Sequence, residues 1–239
     1  MAPLLCYVTN RAALPTPETD ALLAAVRRAV AAGVDWIQIR EKDLSGRTLA
    51  ALARDAVTAA GGSSTRVVVN GRLDVALAAH AAGVHLGGDA LPLADVAAWC
   101  AQQVPGFAAR NVRRDSDDPG AGLPRLRSGQ VSADATSFLL GASCHSLAEA
   151  QAAERHGAHY ISFGPVYSTP SKSQFGPPQG PARLAEVCRT VCIPVVAVGG
   201  VTLENAHECL RAGAAGIAAI RLFQESEDLA GLAGTLHAL

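Results

Sequence analysis

The run Gln38-Ile39-Arg40-Glu41-Lys42 places one amide and two cations at alternate positions. In an extended strand alternate side chains share a face, so Gln38 and Arg40 point the same way, and Lys42 continues the row if the chain stays extended. Cations gathered on one face are expensive to desolvate without an anion. The row therefore reads as a surface for a carboxylate or phosphate, ahead of rim ion pairs with Glu41 or Asp43. Asn70 precedes Gly71, where it can bond a ligand or simply form a turn. Ser143-Cys144-His145-Ser146 brings three kinds of reactive side chain together. A histidine exchanges protons near neutral pH, which makes His145 a candidate acid/base. Ser146 reads as a helix N-cap completed by Glu149, and Cys144 would need cationic neighbours to become a nucleophile. The stretch from Gly164 to Gly176 holds Thr169, Ser171 and Lys172, the composition of a lid over an anion and equally of an ordinary polar loop. Gly199-Gly200 permits close approach of backbone to a ligand, and Ile220-Arg221 adds a second turn with a cation.

These segments are positioned by a regular alternation of strands and helices. Short β-rich runs fall at Leu5–Thr9, Trp36–Arg40, Arg66–Asn70, Gly83–Leu86, Ser137–Gly141, Tyr160–Gly164, Pro194–Val198 and Gly216–Ile220. Several are continuously apolar, as strands buried on both faces are. Between them lie Ala- and Leu-rich stretches of helical period, such as Leu22, Val26, Ala29 and Val30 after the helix start at Thr16-Pro17-Glu18. A weak repeat introduces alternate strands: Ala32-Gly33-Val34-Asp35 and Ala82-Gly83-Val84-His85, with looser copies around Gly157 and Gly213. Each Gly reads as a left-handed cap ending a helix. Eight strands, each followed by a helix, close a (β/α)8 barrel, in which chemistry sits at the C-terminal strand ends. A doubly wound open sheet would carry a Gly-rich phosphate loop after its first strand, where this chain has Tyr7-Val8-Thr9-Asn10-Arg11. The expected architecture is a single TIM-barrel domain over residues 1–239, with an inserted surface loop at 105–134 between helix 4 and strand 5. That interval exceeds its neighbours by roughly 20 residues. Its Arg110, Arg113, Arg114, Arg125 and Arg127 read as a solvated loop ahead of an anion clamp.

Composition narrows the function. Of 239 residues, 49% are apolar and 17% charged, the balance of a folded chain. Twenty basic against 21 acidic residues, a net charge of -1, remove the electrostatic argument for a nucleic-acid binder. No apolar run is long enough to cross a bilayer, and MAPLLCYVTN lacks the basic start of a signal peptide. A soluble, cytoplasmic protein without membrane or nucleic-acid partners is expected. The six cysteines form no C-x-x-C pair and read mostly as small buried residues. Cys188 and Cys192 are four apart, which on a helix puts both on one face. No carboxylate cluster among the strand ends matches a metal site, since Asp74 lies on the helix side of its loop and Asp89 stands alone. No cofactor is expected.

Taken in order, these motifs resemble the thiamine phosphate synthase and TenI superfamily. Gln38-Ile39-Arg40-Glu41-Lys42, Asn70-Gly71-Arg72-Leu73-Asp74, Gly83-Val84-His85-Leu86-Gly87, Ser143-Cys144-His145-Ser146-Leu147, Gly164-Pro165-Val166-Tyr167-Ser168-Thr169-Pro170-Ser171-Lys172 and Pro194-Val195-Val196-Ala197-Val198-Gly199-Gly200 carry the resemblance. It spans nearly the whole chain outside the 105–134 insertion. It implies a barrel enzyme acting on a thiazole phosphate. Synthases of this superfamily usually carry acids at the positions of Gly71 and Ala90, where they hold the Mg²⁺ that binds a pyrimidine diphosphate. The Asn-Gly-Arg form and the His-Ser-Leu run are similar instead to the TenI branch, the thiazole tautomerases. The resemblance then implies His145 as the catalytic residue and Gln38, Arg40, Lys42, Asn70, Ser143, Thr169, Ser171 and Lys172 around the substrate. Gly199, Gly200, Ile220 and Arg221 would hold the phosphate. The expected activity is aromatisation of carboxythiazole phosphate by proton transfer, an isomerase. The alternatives are a synthase that finds its Mg²⁺ ligand in Asp89, and a non-catalytic binder of thiazole or thiamine phosphates. A homo-oligomer remains open.

Overall fold

The computed structural model describes residues 2–105, 107, 137–169 and 177–239. Eight parallel strands close into a barrel in sequence order. They are β1 (Leu4–Val8), β2 (Trp36–Ile39), β3 (Arg66–Asn70), β4 (Gly83–Leu86), β5 (Leu139–Cys144), β6 (Tyr160–Phe163), β7 (Val195–Val198) and β8 (Gly216–Ala219). The helices are α1 (Thr19–Ala31), α2 (Gly46–Ala60), α3 (Leu73–Ala78), α4 (Leu93–Gln103), α5 (Leu147–Arg155), α6 (Gly180–Thr190), α7 (Leu203–Arg211), the short α8 (Arg221–Gln224) and α9 (Leu229–His237). The ring closes where α9 packs against α1, α7 and β1. The expected insertion lies between α4 and β5 and falls almost wholly outside the described residues.

Two hydrophobic layers follow from the period-two alternation of the strands. Outward residues such as Leu5, Tyr7, Ile37, Ile39, Val67, Val69, Ile161 and Ala197 pack under the helices. The helices answer with Leu22, Val26 and Ala29 on α1 and Leu49, Leu52 and Ala56 on α2. Each fully buried Leu or Val in this layer stabilises by about 1.5–3 kcal/mol. Inward residues form a second cluster of Cys6, Val8, Trp36, Val68, Leu139, Tyr160, Val196 and Ala218. It plugs the barrel below the C-terminal strand ends. Above the plug the inward positions turn polar, with Gln38, Asn70, His85, Ser143 and Ser162.

Three details differ from the sequence expectation. β5 starts at Leu139 and runs through Ser143 and Cys144, because these pair with Ser162 and Phe163 of β6. Cross-strand pairing outweighs the weak intrinsic strand preference of the Ala-Ser-Cys run. Gly83 is no helix cap. It opens β4, where a Cβ would lie 2.2 Å from the Leu139 carbonyl oxygen, while the left-handed residue after α3 is His80. Gly33, Gly157 and Gly213 do take left-handed conformations after their helices. Finally, Cys192 lies beyond the end of α6, so it shares no helix face with Cys188.

Candidate active site

At the C-terminal strand ends a cavity of about 350 Å³ is lined by Gln38, Arg40, Asn70, Ser143, His145, Thr169, Gly199, Gly200, Ile220 and Arg221, all expected from the sequence. Val8, Asn10, His85, Ser162, Gly164 and Pro165 also line it. Its described lining holds the two cations Arg40 and Arg221 and no carboxylate. Such a mouth is complementary to an anion.

Gln38 is buried and donates from Nε2 to Asn70 Oδ1 at 3.0 Å. That bond fixes both amides, leaving the Gln38 oxygen and an Asn70 N–H free to meet a ligand. Arg40 is set from behind. Its backbone N–H donates to Thr9 Oγ1 at 2.9 Å, and Thr9 donates to Glu41 Oε1 at 2.7 Å. Glu41 also accepts from the Arg11 amide. Burial pushes the Glu41 carboxyl above its usual range, against those hydrogen bonds.

Lys42 corrects the sequence expectation. β2 ends at Ile39, so the extended row stops at Arg40, and the buried residue after it is Glu41. Lys42 is exposed outside the cavity lining and binds Asp89, Nζ to Oδ2 2.8 Å. Asp89 is thus paired with Lys42, which holds its carboxyl below the usual range. Asp74 is likewise engaged, with both its oxygens on the Arg72 guanidinium. Ser171 and Lys172 lie outside the described residues.

His145 follows β5. Its Nδ1 is hydrogen-bonded to the Gly164 carbonyl oxygen. A carbonyl only accepts, so Nδ1 carries the proton and the neutral ring keeps its lone pair on Nε2. The Gly164-Pro165 peptide is cis. Ser146 caps α5 as expected, accepting from the Glu149 amide at 3.2 Å, but the Glu149 carboxylate returns to the His145 amide, 2.6 Å away. The cap therefore holds His145 as well as the helix. Cys144 is buried and its thiol is pushed up to about 12, chiefly by burial, so it is no nucleophile.

The opposite wall is backbone. Gly199 and Gly200 adopt φ of +94° and +65°. A Cβ on Gly200 would lie 2.6 Å from the Ser168 oxygen and 2.8 Å from the Tyr167 carbonyl carbon. Val166 and Tyr167 donate to the carbonyls of Val198 and Gly199, each at 2.9 Å, so the segment after β6 is stitched onto the end of β7. Asn205 donates to the Gly200 carbonyl at 3.0 Å, and Tyr167 donates to Glu208 at 2.9 Å. On the β1 side Gln224 accepts from the Tyr7 hydroxyl and donates to the Asn10 carbonyl. The sequence reading missed His85, Glu41, Thr9, Asn205 and Gln224. For His85 a signal existed, a lone ring in the apolar run of β4; the rest act through contacts distant in sequence.

Side chains of this kind gathered at the C-terminal ends of eight closed parallel strands define a (β/α)8-barrel enzyme. Within that class the chain belongs to the thiamine monophosphate synthase family, whose model matches residues 5–112 and 129–223. Thiamine-phosphate synthase of Chlorobium luteolum is 34% identical over 238 residues, covering 100% of this chain and 93% of that protein. Thiamine-phosphate synthase of Methanoculleus marisnigri is 38% identical over 214 residues, covering 88% and 84%. The solved thiamine phosphate pyrophosphorylase from Pyrococcus furiosus superposes with a TM-score of 0.73 at 27% identity, covering 98% of this chain and 94% of that one. Among the described residues no helix is long and apolar enough to cross a membrane.

The donors present do not fit the magnesium that the sequence resemblance implies for synthases. Gly71 and Ala90 offer no carboxylate, and Asp89 and Asp74, paired with Lys42 and Arg72 in solvent, do not line the cavity. No group of three or more His, Cys, Asp or Glu converges among the described residues.

Proposed function

We propose that the barrel binds a thiazole phosphate and moves a proton on it, as a thiazole tautomerase converting the non-aromatic carboxythiazole phosphate to its aromatic tautomer. The observation that carries this reading is His145, with Nδ1–H committed to the Gly164 carbonyl and Nε2 left basic at the cavity. In the proposed reaction Nε2 takes a ring-adjacent proton and returns one at another position of the conjugated system. The atoms and electrons of the substrate are unchanged, and aromaticity drives the step. One positioned acid/base residue supplies about 10²–10⁴-fold of rate. Gly199, Gly200 and the Ile220–Arg221 turn hold the phosphate, and Gln38, Asn70 and Arg40 hold the ring carboxylate. No metal is needed for this chemistry.

A second reading is thiamine phosphate synthesis, the transfer that joins hydroxymethylpyrimidine diphosphate to thiazole phosphate. The names of the relatives back it better than they back the tautomerase. Its difficulty is the diphosphate leaving group, which without a bound metal forgoes several kcal/mol of charge stabilisation. One experiment separates the two. The protein is given the non-aromatic carboxythiazole phosphate alone, and separately the aromatic one with pyrimidine diphosphate and Mg²⁺. Aromatisation without thiamine phosphate is expected; thiamine phosphate at catalytic rates establishes the transferase instead. His145→Gln is expected to lower kcat for aromatisation by about 10²-fold or more with KM little changed. An unchanged kcat removes His145 from the chemistry.

A further inference from the structure

At the cavity floor a second histidine is held from both sides. β4, β5 and β6 are neighbours, with His85 opposite Gly141 and Gly141 opposite Tyr160. A Cβ on Gly141 would lie 2.2 Å from the Tyr160 ring and 2.5 Å from its hydroxyl oxygen. The tyrosine therefore occupies the space that Gly141 leaves, and its hydroxyl reaches His85 Nδ1 at 3.1 Å. On the far side His85 Nε2 lies 2.9 Å from Ser143 Oγ. His85 and Tyr160 are 1% and 2% exposed. Burial, with the Arg40 guanidinium adding to it, pushes the His85 imidazolium down to about 4, so the ring is neutral and carries a single N–H. Burial likewise keeps the Tyr160 phenol protonated.

Two arrangements are open to one N–H between two hydroxyls. If Nδ1 carried it and donated to the phenol, the phenol's own O–H would be buried unpaired, because among the described residues that hydroxyl bonds only His85. Leaving a buried donor unmade is the costly case. In the other arrangement the phenol donates to Nδ1, Nε2–H donates to Ser143 Oγ, and every group is paired. Ser143 then receives a hydrogen bond from below, so its own O–H is turned into the cavity.

We propose that His85 is a positioning residue: Tyr160 holds it in the Nε2–H form, and that form makes Ser143 an obligate hydrogen-bond donor to an anionic oxygen of the ligand. The anion follows from Arg40, which lines the same cavity. Which oxygen Ser143 meets, that of a ring carboxylate or of the phosphate, rests on the thiazole phosphate reading; the state of His85 does not.

The test begins on the ligand-free full chain with ¹⁵N-labelled histidine, recording two-bond ¹⁵N–¹H correlations at neutral pH. His85→Gln assigns the His85 signals, and perturbation by Tyr160→Phe assigns them if that variant fails to fold. A pyrrole-type Nε2 beside a pyridine-type Nδ1 is expected; the reverse pattern, or a doubly protonated ring, overturns the proposal. Tyr160→Phe should erase the single-tautomer pattern while Ser143→Ala leaves it. Affinity for carboxythiazole phosphate is then compared between wild type and Ser143→Ala. About a tenfold loss is expected for a donor bond to a charged group, and equal affinity overturns the donor role. A wild type that binds no carboxythiazole phosphate sinks the functional reading, while the ¹⁵N spectrum still decides His85.

Discussion

The arc of the cavity mouth built by β6, β7 and β8 and the arc built by β1 to β5 hold their shapes by different means. On the first, Gly199 and Gly200 present backbone, and the neighbouring segment lies against them so closely that no side chain fits. On the second, side chains are held by other side chains: Gln38 by Asn70, Ser143 by His85, and Thr9 by Glu41. At its rim the second arc ends in the exposed Lys42–Asp89 pair. A backbone wall is fixed by what is missing from it and suits an anion bound in the same way throughout a reaction. A wall of paired side chains sets the direction of each donor and suits a group whose hydrogen bonding changes as the reaction proceeds.

Gly200→Ala is the largest test of the backbone arc. The methyl group must enter space held by the Ser168 and Tyr167 backbone, at a φ of +65°. Left-handed strain and overpacking together should destabilise the fold by about 2–5 kcal/mol. Urea denaturation measures it, and a loss within about 0.5 kcal/mol, typical of an unconstrained surface site, breaks the contrast between the arcs.

The side-chain arc has a pH signature in place of a steric one. His85 is held down to about 4 in the folded protein, from the ordinary histidine value of about 6.5. Above pH 6.5 neither folded nor unfolded chain binds the proton, and stability is full. As pH falls below 6.5 the unfolded chain takes a proton that the native ring refuses, so stability drains away. By pH 4 the loss amounts to about 3 kcal/mol. In His85→Gln this titration is absent. The stability gap between wild type and variant should therefore shrink by about that amount between pH 7 and pH 4. A gap that stays constant with pH places His85 in contact with water.

The backbone arc is the more legible in the sequence. A Gly-Gly pair after a strand announces close approach, and the strand itself was readable to within a residue because Val195–Val198 is an unbroken apolar run. β3 and β4 also match their expected bounds. The other arc was legible only where period-two alternation held. It gave Gln38, Arg40 and Asn70, and it failed at Lys42, where the strand had already ended. His85, Ser143 and Tyr160 meet across separations of 58 and 75 residues. Nothing local in a sequence records such a contact. His145 was legible as a residue but not as a tautomer, because the Gly164 carbonyl that sets it comes from another strand end.

The smallest effect is expected at the rim. Lys42 and Asp89 are 52% and 71% exposed at their side chains, so their pair is worth little in water. Asp89→Asn should change unfolding free energy by no more than about 0.5 kcal/mol. Its value is as a discriminator rather than as a stability probe. If the side-chain arc binds its ligand through Gln38, Asn70, Arg40 and Ser143, aromatisation by Asp89→Asn should match wild type and show no dependence on added Mg²⁺. If Asp89 instead serves as the carboxylate that Gly71 and Ala90 no longer supply, the variant loses any Mg²⁺-dependent formation of thiamine phosphate while its fold stays intact. Measuring both activities of one folded variant, with and without Mg²⁺, therefore decides whether the rim of this arc is a solvated ion pair or the remnant of a metal site.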